Sequence, residues 1–120
     1  MQHVGVDIIE IQRIDTVIKR WGQTFLQRVF TPAELEKYNA VNSLAARFAA
    51  KEAVLKALGA CDQGISWQDI EILSEPGGKP LVNLTGQAKI HADRLAICRI
   101  NISLSHSRDY AVAFVVGETA

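Results

Sequence analysis

Residues 47–59, RFAAKEAVLKALG, decide how this sequence folds. They are rich in the residue types that favour helix, and Gly59 is the type that commonly follows a helix C-terminus. The pattern predicts a helix that begins near Ser43 and ends at Gly59. At ~100° per residue its larger apolar residues form one stripe: Leu44, Phe48, Leu55 and Leu58. We expect this stripe to face the core.

The same helix carries charges that an apolar face does not tolerate without partners. Lys51 falls inside the stripe, and Glu52 and Lys56 lie four residues apart along its edge. Burying a carboxylate or an ammonium group costs free energy unless the group is paired. Two interpretations are open. Either Lys51 snorkels to water while Glu52 pairs with Lys56 on the surface, or these side chains bind a metal ion and an anionic substrate.

Composition and charge exclude several classes of protein. A chain of 120 residues has room for one domain, which we expect to span residues 1–120. The 13 basic and 13 acidic residues balance, so no net field favours nucleic acid or an anionic membrane. The first residues lack the pattern of a signal peptide, and no apolar run is long enough to cross a bilayer. Cys61 and Cys98 lack metal or redox spacing and are typical of reduced thiols. We therefore expect a cytoplasmic protein that binds neither nucleic acid nor membranes.

The remaining segments alternate between strand and helix patterns. The period of two predicts strands over residues 3–9, 67–73, 81–84, 99–105 and 110–116. Helices are predicted over residues 10–28 with a break at Gly22, 32–39, and 85–95 with Thr85 as cap. Thr31, Pro32 and Glu34 form a capping box with proline at the first turn. The fold class is α+β, with helices packed against a small, mainly antiparallel sheet.

Asp7 and His106 join the charged helix residues as candidates for chemistry. Alone, Asp7 is an edge-strand carboxylate facing water, and His106 is a solvated loop histidine. Together with Glu52 and the lysines they match a different site, because two carboxylates with positions left for water and phosphate oxygens suit Mg²⁺. Lysines beside them would neutralise phosphate charge. The sequence has no Walker A loop, no GxGxxG and no Cys/His cluster. The residues therefore favour a Mg²⁺-dependent site for a phosphorylated ligand.

Six ordered motifs point to one family: GVDIIEIQRI, FTPAEL, RFAAKEAVLKALG, WQDIEIL, GGKPLVNLTG and ISLSHSRDYAVAFVV. This set resembles the holo-[acyl-carrier-protein] synthase family, the small single-domain class of 4′-phosphopantetheinyl transferases, over residues 4–116. The resemblance implies the 4′-phosphopantetheinyl transferase fold. It also implies transfer of the phosphopantetheine arm of coenzyme A to a serine of apo acyl carrier protein, with Mg²⁺ as cofactor and adenosine 3′,5′-bisphosphate as the second product.

The resemblance also assigns roles to residues. Asp7 and Glu52 would ligate the metal, and Glu52 and Lys56 would be catalytic, with Lys56 offsetting charge on the phosphate. The residues expected to contact coenzyme A are Arg47, Lys51, Lys56, Pro80, His106 and Ser107. Ser107 stands where threonine is commoner in the family and keeps the hydroxyl. The proton of the partner's serine would pass to Glu52, to a metal-bound water or to bulk water, and the sequence leaves this choice open.

The resemblance implies two further partners. Acyl carrier proteins are acidic, and Arg13, Arg20 and Arg28 on the first helix would form a basic strip that faces them; the alternative is a solvated polar face. Family members form rings of three subunits with sites at the interfaces, so we expect a homotrimer that serves fatty acid biosynthesis. The segment 38–44 is shorter than in many relatives, which affects the region near the adenosine. A non-catalytic carrier-binding module and a Mg²⁺-dependent phosphohydrolase are the competing hypotheses.

Overall fold

In the computed structural model, residues 1–59 and 64–120 are described, and they open with a strand that runs directly into a helix. The elements are, in chain order, β1 (Gln2–Glu10), α1 (Ile11–Trp21), α2 (Gln23–Val29), α3 (Pro32–Lys37), α4 (Val41–Leu58), a 3₁₀ turn (Trp67–Asp69), β2 (Ile70–Ser74), β3 (Pro80–Leu84), α5 (Gly86–Arg94), β4 (Ile97–His106) and β5 (Tyr110–Thr119). None of the helices in these residues has the length and apolar character needed to cross a membrane. Cys61, one of the two cysteines, lies outside the described residues.

Two antiparallel sheets support the helices. β1, β5 and β4 form a three-stranded sheet with β5 at its centre, and β2 pairs with β3. Asp7 lies opposite Ala113, which in turn lies opposite Leu104, so these three residues share one face of the larger sheet. Helix α4 covers that face, where Ala111 and Ala113 are fully buried. The predicted α+β class and antiparallel pairing are confirmed.

Helix α4 approaches β1 unusually closely because Gly5 has no side chain. A Cβ atom on Gly5 would lie 1.9 Å from the Ala53 carbonyl oxygen and 2.8 Å from the Ala57 nitrogen. The helix contributes small residues to this face of the sheet and elsewhere along its length. Its buried alanines are Ala45, Ala46, Ala49, Ala50, Ala53 and Ala57. Strand and helix backbones therefore meet almost directly.

The prediction of a single apolar stripe on α4 is wrong. Phe48 and Leu55 are only partly buried, whereas Lys51 inside the stripe and alanines on other sides of the helix are buried. The cause is that α4 packs between several elements and is buried nearly all round. A helix in that position does not need one apolar face.

Local signals fixed the boundaries of most elements, with a few differences. The break at Gly22 and the capping box of Thr31 and Glu34 are confirmed. The predicted strand from residue 67 is instead a 3₁₀ turn up to Asp69, because the Ser66 hydroxyl accepts from the Gln68 N–H and Asp69 closes a capping box. Thr85 occupies the cap position of α5, but its side chain makes no capping hydrogen bond.

We expect Gly5→Ala to destabilise the fold, because its methyl group has no room against the backbone of α4. Overpacked positions of this kind typically cost about 1–3 kcal/mol in the free energy of unfolding, and backbone contacts cannot rotate away. Urea denaturation measures the change. Gly77→Ala is the matched control, because nothing lies within 4 Å of a Cβ atom there. Equal stability of the two variants would contradict the close contact.

Candidate active site

The contact between β1 and α4 brings three of the predicted site residues together. Asp7 follows Gly5 by two residues and therefore faces α4 as well. The Lys56 Nζ lies 3.1 Å from the Asp7 Oδ1 and 3.0 Å from the Val6 carbonyl oxygen, and donates to both. Glu52 lies one turn earlier on α4 and is partly buried. The predicted convergence of a strand carboxylate with Glu52 and Lys56 is what the structure contains.

Asp7 is not a water-facing carboxylate, and Glu52 does not form a surface ion pair with Lys56. β1 is at the edge of the sheet, yet the Asp7 side chain is only 18% exposed and points toward the helix rather than to water. Among the described residues, the ion-pair partner of Lys56 is Asp7 and not Glu52. The i,i+4 spacing of Glu52 and Lys56 is therefore not used for a surface pair.

The electrostatics of the site favour a cation between the two carboxylates. Burial, and after it the charge of Asp7, raises the pKa of Glu52, while Lys56 acts in the opposite direction. Two carboxylates that repel one another in this way are stabilised by a divalent ion, and hard oxygen donors suit Mg²⁺. Within residues 1–59 and 64–120 no group of three or more His, Cys, Asp and Glu side chains forms a fuller ligand set. The donor set fits a metal with few protein ligands.

Lys51 has a different role from the one predicted. Its side chain is fully buried, and its Nζ donates to Glu34 Oε1 at 2.8 Å and to the carbonyl oxygens of Trp67 and Ile70. Neither snorkelling nor contact with coenzyme A is compatible with this position, because no part of the side chain reaches the surface. Lys51 is a structural residue that joins α4 to β2.

Glu34 is the partner that sequence reasoning missed, because its role as a capping residue was a sufficient explanation. Its Oε1 also accepts from the Thr31 N–H at 2.8 Å, and its Oε2 accepts from the Ile72 N–H at 2.7 Å. The carboxylate is fully buried. One residue therefore caps α3, anchors β2 and neutralises Lys51.

Arg47 is also largely enclosed. Its guanidinium lies 3.4 Å from the centre of the Tyr38 ring and donates to the Ser74 hydroxyl at 3.0 Å. The side chain is 7% exposed, and its buried Nε has no hydrogen-bond partner among the described residues. The stacked tyrosine and the serine were not singled out from sequence. A contact between Arg47 and the nucleotide stays a prediction.

The remaining predicted contacts for coenzyme A lie outside β1 and α4. His106 ends β4, is exposed, and shares the α4-facing side of the sheet with Asp7, but the central strand β5 separates the two. The Ser107 hydroxyl accepts from the N–H groups of Asp109 and Tyr110 at 3.4 and 3.2 Å and so shapes the hairpin. Pro80 begins β3, in the second sheet. Their roles in ligand binding stay predictions.

Comparison with known proteins identifies the family. Residues 3–115 match the model of the 4′-phosphopantetheinyl transferase superfamily. The chain belongs to this superfamily. It is 53% identical over 119 residues to a holo-[acyl-carrier-protein] synthase of Dehalococcoides mccartyi. The aligned residues make up 98% of this chain and 99% of that relative. The predicted family and the predicted class of enzyme, a phosphopantetheinyl transferase, are confirmed.

Solved structures agree with this membership. The holo-[acyl-carrier-protein] synthase of Neisseria meningitidis superposes with a TM-score of 0.88 at 38% identity, covering 98% of both chains. The Helicobacter pylori enzyme, crystallised in complex with coenzyme A, superposes with a TM-score of 0.87 at 35% identity, covering 96% of this chain and 99% of that one. The similarity to these solved structures therefore covers nearly the whole chain.

In this transferase the three predicted docking arginines are exposed along α1 and α2. Arg20 stacks on Trp21, with its Cζ atom 5.2 Å from the ring centre. Trp21 is itself 56% exposed. A shallow groove of about 340 Å³ lies beside it, lined by Val17, Trp21, Thr24, Phe25 and Arg28. Arg13 lies on the same helix as Arg20.

The outer face of the transferase's larger sheet carries an exposed apolar surface. The alternation of β1 places Gly5 and Asp7 toward α4, so the apolar residues between them face outward. We call this set the outer sheet face: Val4, Val6 and Ile8 of β1, which are 50–64% exposed, and Phe114 of β5, which is 46% exposed. The period of two predicted the strand, but it did not show that Asp7 faces inward.

The buried pair of Lys51 and Glu34 gives a test of the structural role of Lys51. Lys51→Met leaves the Glu34 carboxylate without its counter-charge in the interior, which typically costs about 3–5 kcal/mol in the free energy of unfolding. Adding Glu34→Gln removes the uncompensated charge and keeps an acceptor, so the double variant should recover part of the loss. Urea denaturation of both variants measures this. A double variant no more stable than Lys51→Met would contradict the ion pair.

Proposed function

We propose that this chain transfers the 4′-phosphopantetheine arm of coenzyme A to a serine of apo acyl carrier protein, in a Mg²⁺-dependent reaction that serves fatty acid biosynthesis. The products are holo acyl carrier protein and adenosine 3′,5′-bisphosphate. The observation that carries the proposal is the convergence of Asp7, Glu52 and Lys56 at the contact of β1 and α4. The 53% identity to a holo-[acyl-carrier-protein] synthase supports the choice of substrates.

Each residue of the cluster has a role in this reaction. Asp7 and Glu52 would hold the Mg²⁺ ion, which when bound polarises the phosphoryl group under attack and stabilises the leaving phosphate. Lys56, with a flexible and half-exposed side chain, places a compact positive charge where phosphate charge increases. The partner supplies the nucleophilic serine, so the chain itself needs none.

A homotrimer with active sites at subunit interfaces is part of the proposal. The outer sheet face supports self-association, because exposed apolar surfaces of this kind commonly mark sites of protein contact. His106 and Ser107 are exposed at the end of β4 and lie apart from Asp7 within one chain. If this hairpin contributes to the site of a neighbouring subunit, His106 and Ser107 can bind coenzyme A although they lie apart from Asp7 in their own chain.

Arg13, Arg20 and Arg28 are the proposed docking surface for the acidic carrier protein. All three are exposed on the α1–α2 segment. Complementary charge there would accelerate encounter and set the orientation of the partner. We assign the reaction to the cytoplasm, and the exposed free thiol of Cys98 is compatible with a reducing compartment.

The transfer reaction is tested directly by mass spectrometry. Apo acyl carrier protein incubated with coenzyme A, Mg²⁺ and the wild-type chain should gain one phosphopantetheine group. Asp7→Asn and Glu52→Gln should each lower the rate by about 100-fold or more, because each weakens a proposed ligand of the metal ion that stabilises charge on the reacting phosphate. Asp93→Asn, at an exposed carboxylate paired with Lys89 on α5, is the control and should be fully active.

Other outcomes decide between the competing functions. Unchanged turnover in both the Asp7 and Glu52 variants would reject the metal-site assignment. Release of free phosphopantetheine without any acceptor would favour a phosphohydrolase. Binding of the carrier protein without any mass gain would favour a non-catalytic module, against which the convergence of Asp7, Glu52 and Lys56 argues.

The trimer is tested by a charge on the outer sheet face. The wild type should have a mass in solution of three 13.2 kDa chains, and Ile8→Glu should reduce it to that of one chain, because a buried unpaired carboxylate opposes association. Light scattering after gel filtration measures the mass. Ile90→Glu is the control, since Ile90 is 41% exposed but lies on α5, outside this face. A trimeric Ile8→Glu variant would mean that the subunits associate elsewhere.

A further inference from the structure

The Lys56 side chain is bound to the same carboxylate that is proposed to hold the metal. Its Nζ donates to Asp7 Oδ1 at 3.1 Å and to the Val6 carbonyl oxygen at 3.0 Å. Asp7 is thus the one proposed metal ligand that already has a cationic partner within the described residues. The position of this ammonium group determines how freely a second cation can reach Asp7.

We infer that Lys56 and the divalent metal compete for the Asp7 carboxylate, and that an anionic phosphate ligand relieves the competition by drawing Lys56 away. This inference rests on the proposed metal site at Asp7 and Glu52. It adds to that site a coupling between metal affinity and phosphate binding that passes through one side chain.

The chemistry of the three charges supports competition. An ammonium group and a divalent ion prefer the same carboxylate oxygens, and two cations on one carboxylate repel each other. Asp7 is only 18% exposed, so water screens this repulsion less than it would on an open surface. Occupation of Asp7 by Lys56 therefore weakens binding of the metal.

The geometry of Lys56 supports its release. Its side chain is 49% exposed and lies on the last turns of α4, where four rotatable bonds allow the ammonium group to move without a change in the helix. The contact with Asp7 is an accessible ion pair, unlike the enclosed contacts of Lys51. A phosphate group beside Asp7 offers the ammonium an alternative set of anionic oxygens.

The consequence is a reciprocal coupling. If binding of coenzyme A removes Lys56 from Asp7, metal binding becomes tighter, and by linkage the metal tightens binding of coenzyme A by the same factor. Coupling between sites typically corresponds to a factor of about 5–150 in affinity. Direct contact between the metal and the pyrophosphate would add its own coupling, so the diagnostic measurement is metal affinity without coenzyme A.

The test uses Mn²⁺ as the probe and electron paramagnetic resonance of free Mn²⁺ as the readout. In the absence of coenzyme A, Lys56→Met should bind Mn²⁺ about 5-fold tighter than the wild type or more. With saturating coenzyme A the increase in Mn²⁺ affinity should be smaller in Lys56→Met than in the wild type. Lys89→Met is the matched control, because Lys89 pairs with Asp93 on α5 and should leave Mn²⁺ affinity unchanged. Circular dichroism verifies that each variant is folded.

Unchanged or weaker binding of Mn²⁺ by Lys56→Met would overturn the inference and leave the proposed function intact. An equal gain in Lys89→Met would also overturn it, because the effect would then come from net charge alone. Asp7→Asn separates a failure of the competition inference from a failure of the metal-site assignment. If this variant binds Mn²⁺ as tightly as the wild type, the metal is not held at Asp7, and both the inference and the metal-site assignment fail.

Discussion

The contact between Gly5 and helix α4 is the constraint on which the rest of this structure depends. A side chain at Gly5 would overlap the backbone of α4 at Ala53, so strand and helix can meet at this distance only without one. The close approach places Asp7, two residues further along the strand, beside Glu52 and Lys56. The absence of a side chain at Gly5 therefore lets the Asp7 carboxylate pair with Lys56 on a separate element.

On the side of α4 away from β1, Lys51 forms a buried ion pair with Glu34. Both side chains are fully enclosed, and each satisfies backbone groups of neighbouring elements as well as the other's charge. Buried ion pairs contribute little net stability, but they tolerate few alternative arrangements, because any displacement leaves a charge without a partner. The pair therefore defines how α4 is placed relative to α3 and β2, while Gly5 defines its distance from β1.

Strand β1 places Asp7 in the site and exposes apolar residues on the outer sheet face. Two inward positions of β1 must be small or polar, because α4 leaves no room at Gly5 and carries charge beside Asp7. Val6 and Ile8 are therefore displayed on the outer sheet face. The alternation of side chains along β1 places Asp7 on one face and the apolar residues on the other. The proposed active site and the proposed trimer contact therefore depend on the same strand register.

Local patterns in the sequence determined most element types, the capping box at Thr31, the break at Gly22 and the family, because helix periods, caps and motif order depend on neighbours along the chain. They also supplied the candidates Asp7, Glu52 and Lys56. Only the tertiary structure decided that Lys51 is enclosed by Glu34, that α4 is buried nearly all round, and that Lys56 pairs with Asp7 rather than with Glu52. The physical reason is that the energy of a buried charge depends on partners up to 49 residues away in the chain, and no local period encodes them.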